Sequence, residues 1–143
     1  MYLVIILPLI SAGVAELLKF VLPGNRRKLT IKNLFAYAGM PSGHAAMVVS
    51  LATIIGLTEG FPSSLFGFSV VFAVLILRDA VGLREYLGIH GKVLNVLVKD
   101  LRDDKVLAEN YPRLQEHIGH TTAQVIVGGL IGLAVSIIGY YIF

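Results

Sequence analysis

From Thr121 to Phe143 the chain carries no charged side chain. At about 1.5 Å of rise per residue this stretch spans a hydrocarbon layer of about 30 Å, so it reads as a membrane helix. Three further apolar stretches precede it. One runs from Tyr2 to Leu22 and ends at Pro23-Gly24; a second, shorter one runs from about Ser42 to Thr58; a third runs from about Ser64 to Gly82. A tight turn, Glu59-Gly60-Phe61-Pro62-Ser63, separates the second from the third. The hydrophobic fraction is 56% against 15% charged, with a mean hydropathy of +0.80, whereas a soluble domain of this size would carry more charge. The expected fold is therefore all-α: one domain over residues 1–143, an integral membrane bundle of about four transmembrane helices. Met1 leads into the first stretch with no basic segment and no small-residue cleavage site, so that stretch is expected to be a retained helix.

Between the third and fourth stretches, Ile89, Val93, Leu94, Leu97 and Leu101 recur at helical spacing, with Lys92, Asn95, Lys99 and Arg102 largely between them. This pattern predicts an amphipathic helix, lying at the interface or covering the candidate site, or else packed on its own domain. Charge placement orients the bundle. All twelve Lys and Arg residues fall in or near the first and third connections, which puts those connections in the cytoplasm and both termini outside. There is no cysteine, so neither disulfide nor thiolate chemistry is available, and a net charge of +3 gives no reason to expect nucleic acid as a partner.

The chemistry-bearing residues gather at the cytoplasmic ends. Pro41-Ser42-Gly43-His44 opens the second stretch and Gly119-His120 opens the fourth. A helix N-terminus presents unpaired N–H groups and a positive dipole end, both of which attract anions. Lys19, Arg26 and Arg84 lie near the same side and add positive charge. Imidazole can act as nucleophile or general acid near neutral pH, and Arg can grip two phosphoryl oxygens at once. The set suits phosphoryl chemistry on a lipid.

With these residues the chain resembles a small, divergent member of the type-2 phosphatidic acid phosphatase superfamily, which includes the vanadium haloperoxidases. That family carries K-x6-R-P, P-S-G-H and S-R-x5-H-x3-D. Lys19 and Arg26 have the first spacing, with Arg27 in place of the proline, and residues 41–44 match the second completely. The third is split: His120 matches its histidine, Gln124 replaces its acid, Leu114 stands where its arginine would be, and Leu83-Arg84 resembles its missing first half. Arg84 and His90 offer a rival R-x5-H match. His120 is preferred because it alone precedes an apolar stretch, where the helix dipole acts.

The resemblance implies roles. His120 would attack phosphorus and form a phosphohistidine, and His44 would protonate the leaving alcohol. Lys19, Arg26 and Arg84, helped by the N–H groups of Ser42 and Gly43, would neutralise the phosphoryl oxygens. Gln124 would orient His120, or Asp79, an acid inside the third stretch, would take over the acid's part. No metal or other cofactor is implied. The expected function is hydrolysis of a lipid phosphomonoester or pyrophosphate at the cytoplasmic side of a bacterial- or archaeal-type cell membrane. The expected partners are the lipid phosphate and the bilayer, with self-association left open. The alternative is a non-catalytic protein that binds lipid phosphate or assists membrane assembly on the same scaffold.

Several of these residues also have purely structural readings. Thr121 and Gln124 have the pattern of a capping box. Glu16 and Lys19, three apart, can pair on one helix face, and Asp79 can pair with Arg78 or Arg84. Arg27 and Lys28 read as a lipid contact and topology signal, and His117 as a loop residue. Gly128, Gly132 and Ser136 form a small-residue stripe suited to helix packing.

Overall fold

The computed structural model describes residues 2–22, 39–100, 114, 116 and 119–143. Arg26, Arg27, Lys28, Leu101, Arg102 and His117 lie outside the described residues. The described chain forms α1 (Leu3–Val21), α2 (Gly43–Glu59), α3 (Ser64–Arg78), a π-helical turn (Asp79–Leu83), α4 (Arg84–Asp100) and α5 (Thr122–Ile142). This is an all-helical membrane bundle. α1, the continuous helix through α3 and α4, and α5 are long and apolar enough to cross a bilayer, and α2 is a shorter apolar helix.

α2 is the centre of the bundle and packs against α1, α3 and α5, while α1 also touches α5. Its Ala45, Ala46, Val48, Ile54 and Ile55 are buried. Lipid tails offer helices no hydrophobic reason to associate, so close backbone approach has to supply the contact. Gly128 lies against the backbone carbonyl of Ser42, and Gly132 against that of Ala46. A methyl group at either position would collide with main chain, which cannot swing away. One turn further on, the Ser50 and Ser136 hydroxyls lie 2.6 Å apart, and Ser136 also donates to the Ser50 carbonyl at 3.0 Å. Gly139 then lets α5 close on the Leu7 side chain of α1. The small-residue stripe is thus the seam between α5 and its two neighbours.

The helix starts follow local rules. Ser42 accepts the Ala45 N–H at 3.3 Å, and Ser63 accepts the Phe66 N–H at 3.2 Å. Gly60, at φ 87°, makes the reversal between α2 and α3 in a conformation that side-chain-bearing residues avoid. On the outside of α3, Phe68, Val71, Val74 and Leu75 are exposed, as a lipid-facing surface requires.

The link between the third span and the amphipathic helix differs from expectation. No break separates them; the helix continues from Ser64 to Lys99. The charges at Arg78, Asp79 and Arg84 mark a π turn inside one helix rather than a helix end. Such wide turns occur as single insertions in α-helices, often at functional sites. The apolar stripe of α4 is not packed on its own domain among the described residues: Ile89, Val93, Leu94 and Leu97 are each about half exposed. Asn95 anchors α4 by donating to the Leu114 carbonyl and the Glu116 carboxylate, and by accepting the Leu114 N–H, all at 2.9 Å.

Candidate active site

Three helix ends and the π turn meet at one end of the bundle: the C-terminus of α1 and the N-termini of α2 and α5 gather around the turn. Each brings one part of the predicted set. His44 is the second residue of α2 and His120 lies just before the cap of α5. Their rings face each other edge to face, with centroids 6.3 Å apart. His120 is 3% exposed, and neither of its ring nitrogens has a hydrogen-bond partner among the described residues. Buried polar atoms are almost always satisfied, so a fully buried imidazole with two bare nitrogens calls for an explanation. His90 sits on the exposed side of α4.

The chain holds His120 by its backbone. Its N–H donates to the Ala80 carbonyl in the π turn at 3.1 Å. The next residue, Thr121, caps α5: its Oγ1 accepts the Gln124 N–H at 3.4 Å, while Gln124 Oε1 accepts the Thr121 N–H at 3.1 Å. The Gln124 side chain is therefore engaged in a capping box and makes no hydrogen bond to His120. Asp79 accepts from Arg84 Nε at 2.9 Å across the π turn, so its carboxylate is aligned with the arginine and makes no hydrogen bond to the imidazole.

The positive charges come from two sides. Lys19 lies in the last turn of α1 and is buried, with its Nζ 2.6 Å from Glu16 Oε1. Arg84 follows the π turn and is partly exposed. Arg26 is outside the described residues. Burial, reinforced by the charges of Lys19, His44 and Arg84, pushes the His120 imidazole down to about 4 from its ordinary 6.5. At neutral pH it is uncharged, the form in which a ring nitrogen carries a free lone pair.

Of the two N–H groups expected to meet a phosphate, that of Ser42 is already engaged. The Ser42 N–H donates to the Gln124 carbonyl at 3.0 Å, so this group ties α2 to the first turn of α5. Gly43 opens α2, where helix N–H groups lack intrahelical partners. A Cβ at Gly43 would stand 2.6 Å from Glu16 Oε1, which places that carboxylate against the start of α2. From sequence, Glu16 is legible only as a partner of Lys19. Its reach to Gly43 depends on two helices separated by the first connection, and no local pattern reports it.

A family model described as "Divergent PAP2 family" matches residues 2–135. The chain is 36% identical over 126 residues to a Bacillus subtilis (strain 168) protein described as "Uncharacterized membrane protein YuiD", covering 82% of this chain and 80% of that one. No solved structure matches. The match runs through all the helices that build the site, and the chain belongs to the Divergent PAP2 family.

Proposed function

We propose that this protein is a membrane lipid phosphatase. It hydrolyses a phosphomonoester or pyrophosphate on a lipid at the cytoplasmic face, through a phosphohistidine on His120. The observation that carries this reading is the pair of imidazoles facing each other across 6.3 Å, one of them buried with both nitrogens unpartnered. An in-line displacement needs the nucleophile about 3 Å from phosphorus and the acid within about 3 Å of the leaving oxygen, on opposite sides. The two rings lie closer than that, with centroids 6.3 Å apart, so an entering phosphoryl group has to part them. Membership of a phosphatase-like family supports the same chemistry.

In this reading His120, neutral at physiological pH, attacks phosphorus through one ring nitrogen, and the P–O bond to the lipid alcohol breaks. His44, protonated once the phosphoryl charge lies beside it, delivers that proton to the departing oxygen and is left neutral. It then takes a proton from water, whose oxygen attacks the phosphohistidine, releasing inorganic phosphate and regenerating His120. Lys19 and Arg84 neutralise the equatorial oxygens throughout.

One observation favours the non-catalytic alternative. The carboxylate-to-histidine hydrogen bond that would fix the nucleophile's tautomer is absent among the described residues, because the His120 nitrogens are bare. The deciding experiment is phosphate release from a panel of lipid phosphates by purified protein in detergent, with and without EDTA and orthovanadate. Vanadate-sensitive, EDTA-resistant release is expected. Vanadate binding without turnover of any lipid phosphate would establish the alternative.

A further inference from the structure

We propose that Glu16 is a resident competitor for the phosphate subsite: in the unliganded protein its carboxylate takes the place of phosphoryl oxygens between Lys19 and the start of α2, and an incoming phosphate must displace it. The inference rests on the phosphatase reading above and adds a determinant of what the site retains.

The argument begins with where the carboxylate sits. Glu16 is in α1, three residues before Lys19. A plain intrahelical ion pair would leave it on the surface of α1. Instead Oε1 meets both Lys19 Nζ, at 2.6 Å, and the space a Gly43 side chain would fill. One anionic oxygen is thus bound by the buried ammonium and pressed on the N-terminal turn of α2, the two elements expected to hold a phosphoryl oxygen.

The seat is occupied but incompletely satisfied. The second oxygen, Oε2, is buried and has no hydrogen-bond partner among the described residues. A carboxylate is acceptor-only and strongly prefers donors at both oxygens, so a half-satisfied one is weakly held. His120 supplies an independent sign that the neighbouring space is built for a ligand: it is 3% exposed, it faces His44, and both its nitrogens are unpartnered. A phosphate, with more oxygens and more charge than a carboxylate, can satisfy these groups together.

Displacement is an exchange of partners. Lys19 releases the Glu16 carboxylate and takes a phosphoryl oxygen, and Glu16, which is partly exposed, turns away on its flexible side chain. The same exchange runs backwards after hydrolysis. Free inorganic phosphate has only its own charge to hold it against the returning carboxylate. A lipid-borne phosphate is also held by its tails in the bilayer, which raises its effective concentration at the site. Glu16 therefore lowers the affinity of every phosphate by a common factor, which the bilayer offsets for a lipid phosphate and nothing offsets for free phosphate, and so assists product release.

The test uses the full-length protein in detergent, with orthovanadate and inorganic phosphate as probes of free oxyanion affinity and a short-chain lipid phosphate as substrate. Glu16→Gln keeps the shape and removes the charge. We expect it to bind both oxyanions about tenfold more tightly than the wild type, to lower KM, and to be more strongly inhibited by product. A purely structural ion pair would change melting temperature without tightening oxyanion binding. Glu16→Ala provides the same comparison if the Gln variant does not fold. Unchanged or weaker oxyanion binding in the variants, with lipid phosphate still hydrolysed, would overturn the inference and leave the phosphatase reading intact. Oxyanion binding that is undetectable in every form, or indifferent to Lys19→Met, would overturn both.

Discussion

Acidification should reveal the His120 environment directly. The imidazole is pushed down to about 4 by burial and by its cationic neighbours, against about 6.5 in an unfolded chain. The sign follows from proton counting. Between those two values the unfolded chain binds a proton that the folded one refuses, so stability rises with pH there. The contribution is complete above about pH 6.5 and is lost as pH falls toward 4. Lowering pH from 7 to 5 should remove about 2 kcal/mol through this group alone. The assay is histidine-selective NMR of the protein in micelles, with the resonance assigned by His120→Gln, alongside thermal melts of both proteins across pH 4–7.5. The wild type should lose stability on acidification more steeply than His120→Gln, and the His120 signal should remain that of a neutral ring at pH 5.5. A midpoint near 6.5, or identical pH dependence in the two proteins, would refute the argument that burial and the neighbouring charges govern this residue.

Other substitutions separate the remaining roles. His120→Ala should abolish turnover and any acid-labile phosphoenzyme, whereas His44→Ala should still form phosphoenzyme from substrates with good leaving groups, read by rapid-quench labelling. Gln124→Leu should lower melting stability by about 1 kcal/mol through loss of the cap and reduce activity only in proportion; an activity loss far beyond the stability loss would mean that Gln124 turns to His120 during the reaction. Asp79→Asn should weaken the hold on Arg84, raising KM more than it lowers kcat in steady-state assays. Gly128→Ala should destabilise the bundle by about 1–3 kcal/mol through overpacking and depress activity as well, because the colliding atom is the Ser42 carbonyl at the start of α2.

The spans were legible because hydrophobicity over about 20 residues is a bulk property that no tertiary detail overrides. The ends of α1, α2 and α5 fall within a residue of the apolar stretches. The α3–α4 continuity was not legible. Arg78, Asp79, Gly82 and Arg84 together read as a helix exit, yet Asp79 and Arg84 pair across one wide turn and let the helix run on. At the site, His44 and His120 were legible because each stands at the start of an apolar run. The capping role of Gln124 was legible too, from its spacing to Thr121. What local pattern does not encode is contact between distant segments. The burial of His120, the use of the Ser42 N–H by α5 and the reach of Glu16 to Gly43 all belong to that class.

The π turn sets the register of everything that follows it. A π turn is equivalent to one residue inserted into an α-helix, and each residue rotates an α-helix by about 100°. The wide turn takes up that extra residue, so straightening Asp79–Leu83 into ordinary α-helix with every residue kept would rotate α4 by about that angle about its axis. Arg84 would turn away from Asp79, the carbonyl that receives the His120 N–H would be drawn back into the helix, and the apolar stripe of Ile89, Val93 and Leu97 would face a different sector. The candidate site at one end of the bundle and the outward surface of α4 are thus two readings of one angular offset, and a change that straightens the turn while sparing every named side chain would still separate them.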